Sequence, residues 1–413
     1  MKYGCIGEHL KHSFSKEIHN ALTDYEYDIL EISRENLADF AERKNFSAIN
    51  VTIPYKELIM PHMYYIDAHA KEIGAVNTVV NRSGKLYGYN TDFYGMSMLI
   101  KYAGIEIKDK KVVILGTGGT SKTSLAVAKA LGAKSTVRVS RSEREDAISY
   151  AELYEEHNDA DVIINTTPCG MFPNISDSPV DLTQFKKLSG VIDAVYNPLR
   201  TSLVLEAQKR GIAAEGGLYM LVAQAVRASE IFVDTSYPKT ETERIFKKIM
   251  KEKENIVLIG MPASGKTTVG NILAKKMNRE IVDTDELIVK REKKSISTIF
   301  LEYGEEYFRR VESEIIEEVS SKTGVIISTG GGAVLNENNV NSLKKNGRVY
   351  FIDRPLEALI PTSDRPLAST RAAIEKRYNE RYSIYTSLAD VTIDASYDAV
   401  SVAEKIERNF TND

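Results

Sequence analysis

Short runs of β-branched residues alternate with amphipathic stretches along most of the chain: Val112–Leu115, Thr136–Val139, Val162–Asn165, Val191–Ala194, Ile256–Ile259, Val325–Ser328 and Val349–Ile352. Apolar runs of this length between helical patterns predict βαβ units with parallel sheets, hence an α/β fold. Two of the runs, Val112–Leu115 and Ile256–Ile259, lead directly into glycine-rich turns followed by helical patterns. Each is expected to begin its own sheet. No Pro/Gly/Ser-rich linker parts the two halves; instead Glu241–Lys253 reads as a helix with Ile245, Phe246, Ile249 and Met250 on one face. Only Glu254 and Asn255 precede the next strand, so the two modules are expected to be held close together.

Composition adds limits. At 413 residues the chain exceeds the size at which one core keeps growing, so several domains are expected. Lys and Arg (54) nearly balance Asp and Glu (58), for a net charge of −4, which argues against nucleic acid as a partner and makes any cationic cluster local. Two cysteines, Cys5 and Cys169, are too few for a disulfide framework and suit a reducing compartment, so the expected location is cytoplasmic. The first residues turn polar quickly and lack the apolar core of a signal peptide. With no apolar run near the roughly 20 residues of a spanning helix, no membrane role is expected.

The first turn, Gly116-Thr117-Gly118-Gly119-Thr120-Ser121, follows a buried-strand pattern and starts a helix. Gly116, Gly118 and Gly119 would let backbone approach a pyrophosphate at a helix N-terminus, although tight βα turns need glycine for purely structural reasons too. The next strand run ends in Ser140-Arg141-Ser142, with Arg144 close behind, where NAD-binding domains usually carry an acidic residue for the ribose. Arginine there suits the 2′-phosphate of NADP, against the alternative of a solvated surface pair.

The first 250 or so residues resemble the shikimate dehydrogenase family. The resemblance is carried by His12-Ser13-Phe14-Ser15-Lys16, Asn50-Val51-Thr52-Ile53-Pro54-Tyr55-Lys56, Gly74-Ala75-Val76-Asn77-Thr78-Val79 and Gly88-Tyr89-Asn90-Thr91-Asp92. It continues in Asn165-Thr166-Thr167-Pro168-Cys169-Gly170-Met171, Asp193-Ala194-Val195-Tyr196-Asn197-Pro198 and Gly216-Gly217-Leu218-Tyr219-Met220-Leu221-Val222-Ala223-Gln224. Thr117 and Thr120 stand where the family usually has Ala. The resemblance implies a substrate domain over residues 1–102 plus a returning helix at about 226–253, a Rossmann-type NADP domain over 103–225, and Lys56 with Asp92 as the catalytic pair. Reducing a cyclic ketone builds negative charge on oxygen, which calls for a proton donor or cation of that kind. Ser13, Ser15, Thr52, Asn77 and Gln224 offer neutral donors and acceptors for a polyhydroxylated ring, though any one of them alone reads equally as a turn or cap residue.

The second turn, Gly260-Met-Pro-Ala-Ser-Gly265-Lys266-Thr267-Thr268, matches the P-loop pattern GxxxxGK[ST] in full, flanked by strand and helix patterns. Its N–H groups are expected to cradle ATP phosphates, Lys266 to neutralise them and Thr267 to bind Mg²⁺. From about Asn255 onward the chain resembles shikimate kinases, through Ile281-Val282-Asp283-Thr284-Asp285, Gly304-Glu305-Glu306-Tyr307-Phe308-Arg309, Thr329-Gly330-Gly331-Gly332, Asp364-Arg365-Pro366-Leu367 and Arg381-Tyr382-Ser383-Ile384-Tyr385. That implies a P-loop kinase domain over 254–413 with a parallel sheet. Asp283 would help place Mg²⁺ and Asp285 would orient or deprotonate the attacking hydroxyl. Arg309 and Arg381 would hold a carboxylate beside Gly331 and Gly332, and Arg365 would reach the phosphates from a lid. Fewer residues than usual lie between Asp353 and Arg365, so a short lid is expected. Singly, each arginine reads as a surface ion pair.

Together the resemblances imply reduction of 3-dehydroshikimate to shikimate with NADPH, then phosphorylation of shikimate with ATP. A quinate/shikimate oxidoreductase joined to a related kinase is one alternative, and a nucleotide-binding scaffold is another. Retention of Lys56, Asp92, Lys266, Asp283 and Asp285 argues against the scaffold.

Overall fold

A computed structural model describes residues 2–8, 10, 14–360 and 370–412. Each β-branched run named above lies in a strand whose ends fall within two residues of those expected. The chain divides into two compact units, residues 1–249 and 250–413.

The first unit holds two sheets. Strands β1 (Tyr3–Gly7), β2 (Tyr27–Glu31), β3 (Ala48–Val51), β4 (Tyr65–Ile66), β5 (Thr78–Arg82) and β6 (Lys85–Tyr89) form one, in the order β2-β1-β3-β5-β6-β4. Unlike the parallel pattern read from the later runs, this sheet is mixed: β5 pairs antiparallel with both β3 and β6. The cause is the two-residue turn Ser83-Gly84, with φ of 52° and 80°, whose paired left-handed residues match the twist of a tight hairpin. Closing that hairpin sets Thr78 opposite Tyr89, so the residues just before β5 and just after β6 emerge side by side.

Strands β7 (Lys111–Leu115), β8 (Ser135–Val139), β9 (Val162–Asn165), β10 (Gly190–Asp193) and β11 (Ala213–Glu215) form the second sheet, wholly parallel, in the order β11-β10-β9-β7-β8. Order reverses at β7, so its glycine turn opens at the switch point where parallel sheets bind ligands.

The second unit is built on β12 (Asn255–Ile259), β13 (Ile281–Asp283), β14 (Ile326–Ser328), β15 (Gly347–Asp353) and β16 (Val391–Asp394), parallel and ordered β13-β14-β12-β15-β16. Val257, Ile259, Ile327, Val349 and Phe351 pack into the core on one face. Ile256, Leu258, Ile326, Tyr350 and Ile352 pack on the other. Burial on both faces explains why these strands read as unbroken apolar runs rather than as alternating ones. Helix Glu241–Lys253 forms with the bounds expected, burying Ile245, Phe246 and Ile249. Among the described residues no helix is long and apolar enough to cross a membrane.

Gly217 joins the second sheet to helix Leu218–Val233, donating its N–H to Val195 O at 2.9 Å. A Cβ there would fall on backbone atoms of Ala194 and Val195, which cannot swing aside as a side chain would. Gly217→Ala is therefore expected to destabilise the first unit by about 1–3 kcal/mol, the usual cost of overpacking. Thermal unfolding of the purified variant checks this, and an unchanged first transition refutes it.

Candidate active sites

The mixed sheet gathers its polar motifs at one edge. Lys56, on the short helix Tyr55–Leu58, donates from Nζ to Asp92 Oδ2 at 2.6 Å. Asp92 opens helix Asp92–Tyr102 and is buried. Beside them Asn77 Oδ1 accepts from Thr91 N at 2.8 Å and from Thr78 Oγ1 at 3.0 Å, while Asn77 Nδ2 donates to Gln224 Oε1 at 3.1 Å. Asn50 extends the network, donating to Thr78 Oγ1 at 3.2 Å and accepting from Tyr27 Oη at 2.7 Å. Lys56, Asp92, Asn77 and Gln224, 168 positions apart in sequence from first to last, thus meet as one cluster. Thr52 sits at the end of β3, its N–H donating to Ile6 O at 3.0 Å. Ser15 opens helix Ser15–Leu22. Ser13 lies outside the described residues.

The glycine turn of β7 reaches the same region. Gly116 has φ +106°, a conformation that favours glycine, and an added Cβ at Gly119 would stand 4.0 Å from Lys56 Cδ. Around Gly118 a Cβ would meet nothing within 4 Å, so the N-terminus of helix Gly119–Ala130 has room for a phosphate. Leu115 pairs with Val139, which brings Ser140, Arg141 and Arg144 out beside the turn. Ser140 is buried, and its Oγ accepts from Ser142 N at 3.2 Å; Arg141 and Arg144 are exposed. These features fit NADP.

In the second unit the register sets Leu258 beside Ser328 and Ser328 beside Asp283, bringing the P-loop, Asp283 and the glycine triplet to one end of the sheet. Gly260 and Gly265 have φ of +150° and +93°. Lys266 is buried and folds over the loop, donating from Nζ to Gly260 O and Met261 O, each at 2.9 Å. Thr267 Oγ1 donates to Asp283 Oδ2 at 2.8 Å, while Asp283 Oδ1 caps the next helix by accepting from Asp285 N at 3.0 Å. Thr268 is exposed in the first turn of helix Lys266–Met277. Within the loop Ser264 Oγ is buried with no hydrogen-bond partner, an orphan that a phosphate oxygen would satisfy. Loop and hydroxyl–carboxylate pair fit Mg-ATP.

Next to the loop lies a cluster of arginines and carboxylates, in which Arg309 pairs with Glu305 and Glu312. Arg381 is buried and donates from Nη1 to Gly331 O at 3.1 Å, and Tyr385 Oη donates to the same carbonyl. Arg309 packs its guanidinium against Gly332, where any side chain would collide with it. Asp285 approaches Gly330 so closely that a Cβ there would stand 2.6 Å from its Oδ1. Arg365 and the rest of the motif at 364–367 lie outside the described residues.

One residue of this cluster escaped the sequence reading. Glu312 ion-pairs with Arg309 at 2.7 Å through Oε2, while its Oε1 is buried without a partner. Burial pushes its carboxyl above the usual range, Arg309 pulls it back and Asp285 pushes it further up. The available signal was its place three residues beyond Arg309 on a helical pattern, where side chains meet.

Two parallel-sheet folds, each with a phosphate-binding turn at its switch point, define a nicotinamide-dependent dehydrogenase joined to a P-loop phosphotransferase. The comparisons narrow this. Family models match at residues 5–79, for the shikimate dehydrogenase substrate binding domain, and at 262–411, for shikimate kinase. A shikimate dehydrogenase (NADP(+)) of Clostridium perfringens is 38% identical over 60% of this chain and 97% of its own length. Shikimate dehydrogenase 1 from Peptoclostridium difficile is 36% identical with a TM-score of 0.56, over 60% of this chain and 98% of that one. A chorismate mutase/shikimate 5-dehydrogenase fusion protein from Clostridium acetobutylicum is 36% identical with a TM-score of 0.57, over 60% of this chain and 96% of its own. The chain belongs to the shikimate dehydrogenase family and carries a shikimate kinase domain at its C-terminal end.

Asp193, at the end of β10, is fully buried and accepts from Thr201 Oγ1 at 2.7 Å, Asn165 Nδ2 at 2.9 Å and Val195 N at 3.0 Å. Burial pushes its carboxyl up to about 6, with the three donors pulling it down. A carboxyl raised above its unfolded value of about 3.9 stabilises the fold when protonated, and that contribution is lost as pH rises through the folded value. Wild type is therefore expected to lose stability relative to Asp193→Asn between about pH 4 and pH 7. Denaturant titrations across that window test it; a constant difference removes the raised titration.

Proposed function

We propose that this chain catalyses two successive steps of the shikimate pathway: reduction of 3-dehydroshikimate to shikimate with NADPH, and phosphorylation of shikimate to shikimate 3-phosphate with ATP. The carrying observation is that one polypeptide holds both family matches, and the product of the first chemistry is the substrate of the second.

In this reading the mixed-sheet part, residues 1–102 with the returning segment at about 226–253, which is not one helix as expected but falls on two, Leu218–Val233 and Glu241–Lys253, holds the substrate and residues 103–225 hold NADP. NADPH, when bound, supplies the hydride. Lys56 donates a proton to the ketone oxygen as charge develops there, and Asp92, 2.6 Å away, keeps the ammonium aimed. Ser13, Ser15, Thr52, Asn77 and Gln224 bind the ring hydroxyls and carboxylate. The Asn77–Gln224 hydrogen bond fixes two of these groups before substrate arrives, which lowers the cost of ordering.

Residues 254–413 form the kinase. Mg-ATP, when bound, supplies the phosphoryl group. Thr267 and Asp283 hold the metal, Lys266 and the loop N–H groups hold the phosphates, and Arg309 with Arg381 takes the shikimate carboxylate. Asp285 aims the attacking hydroxyl and accepts its proton. Cytoplasm remains the proposed location. Feeding 3-dehydroshikimate, NADPH and Mg-ATP to the purified chain should yield shikimate 3-phosphate; accumulation of shikimate alone, or no NADPH oxidation, defeats the corresponding half.

Lys56→Ala is expected to lower dehydrogenase turnover by on the order of 10²–10⁴ while sparing the kinase. Near-normal NADPH oxidation in that variant would remove Lys56 from the mechanism. Asp285→Asn keeps the size of the side chain but not its charge, so Mg-ATP should still bind while phosphoryl transfer falls steeply. Wild-type kinase turnover with unchanged shikimate affinity would exclude Asp285, and loss of Mg-ATP binding would mean that the two aspartates exchange roles.

A further inference from the structure

Thr117 stands in the first glycine turn where shikimate dehydrogenases usually carry Ala, and its side chain is not idle. Arg144 Nη1 donates to Thr117 Oγ1 at 2.8 Å. The contact spans 27 residues of sequence and follows from the sheet: β7 and β8 are parallel neighbours with Leu115 opposite Val139, so the segments leaving the two strands run side by side. The loop after β8 is shaped for it. Ser142 N donates to Ser140 Oγ at 3.2 Å, and Arg144 and Ala147 form an isolated antiparallel bridge that turns the chain back.

We infer that Thr117 is a positioning residue for cofactor discrimination, holding Arg144 beside the glycine turn as a cationic contact for the 2′-phosphate of NADP. The inference rests on the NADP reading above and concerns which atoms of this chain enforce it. An exposed arginine has many rotamers, and ordering it on binding costs affinity. Thr117 removes part of that cost in advance. Its hydroxyl is moreover a neutral acceptor, so it fixes the guanidinium without cancelling the charge that the phosphate needs. The rival partner would cancel it: Asp146 Oδ1 lies 3.9 Å from Arg144 Nε. Asp146 is, however, also engaged by Arg138, whose Nη2 donates to its Oδ2. The Thr117 hydroxyl and the Arg138–Asp146 pair thus act in the same direction, leaving Arg144 ordered and available to an anion.

The test measures binding of NADPH and of NADH to the full chain by nicotinamide fluorescence, with no second substrate present. Thr117→Val keeps the shape and removes the acceptor. It should weaken NADPH binding about five-fold, the factor expected for one lost hydrogen bond, and leave NADH binding unchanged. Thr117→Ser should retain the wild-type preference, which separates the hydroxyl from packing. In an Arg144→Ala background the Thr117→Val change should add nothing. The kinetic counterpart is a raised KM for NADPH at constant kcat. An unaltered NADPH preference in Thr117→Val, or an equal loss with Arg144 already removed, overturns the inference. Wild type that binds NADPH and NADH alike overturns the NADP reading beneath it, and with it the role of Thr117.

Discussion

A parallel strand covered on both faces can present polar chemistry only where it ends. In the inner strands of both wholly parallel sheets the side chains above and below are committed to apolar packing, and the ladder takes up the backbone groups between them. What remains is the row of carboxyl ends, where turns leave N–H groups pointing outward and the following helices add their positive termini. Both nucleotide turns lie there. So do Ser140 and Asn165 after β7 is aligned with β8 and β9, and Asp283 and the glycine triplet after β12 is aligned with β14 and β13. The mixed sheet solves the same problem differently, by folding β5 and β6 into a hairpin whose open end carries Asn77 and Asp92.

Groups that the fold alone leaves unsatisfied concentrate at these ends. Among the described residues Ser264 Oγ and Glu312 Oε1 are two of the four buried side-chain atoms without a partner, and both border the P-loop and glycine triplet. Ala263, in the P-loop, holds φ +64°, where an ordinary side chain costs about 1–2 kcal/mol. Packing elsewhere over-determines such positions, which is how strained or orphaned groups persist where ligands bind. The arginine–carboxylate cluster beside the P-loop shows the complementary device. Arg381 and Tyr385 both donate to Gly331 O, so the backbone of the triplet and the arginine fix one another, and Glu312 fixes Arg309 from below.

Much of this was legible in the sequence because the signals were local. Strand runs buried on two faces are apolar throughout, glycines mark turns that no other residue makes easily, and the P-loop spells out its own strand–loop–helix context. Helix Glu241–Lys253 announced its bounds through four apolar residues on one face. The sequence alone thereby determined the class of fold, the two nucleotide turns and the residue types around them. Only the tertiary structure decided which of those residues meet. The two-residue Ser83-Gly84 hairpin that makes the first sheet mixed carries little apolar periodicity, and it is what aligns Asn77 with Asp92. The Asn77–Gln224 contact spans 147 residues of sequence, and the Thr117–Arg144 and Thr267–Asp283 contacts span 27 and 16. Their existence depends on strand order and register, which are set by the packing of whole faces and leave no mark on either partner taken singly.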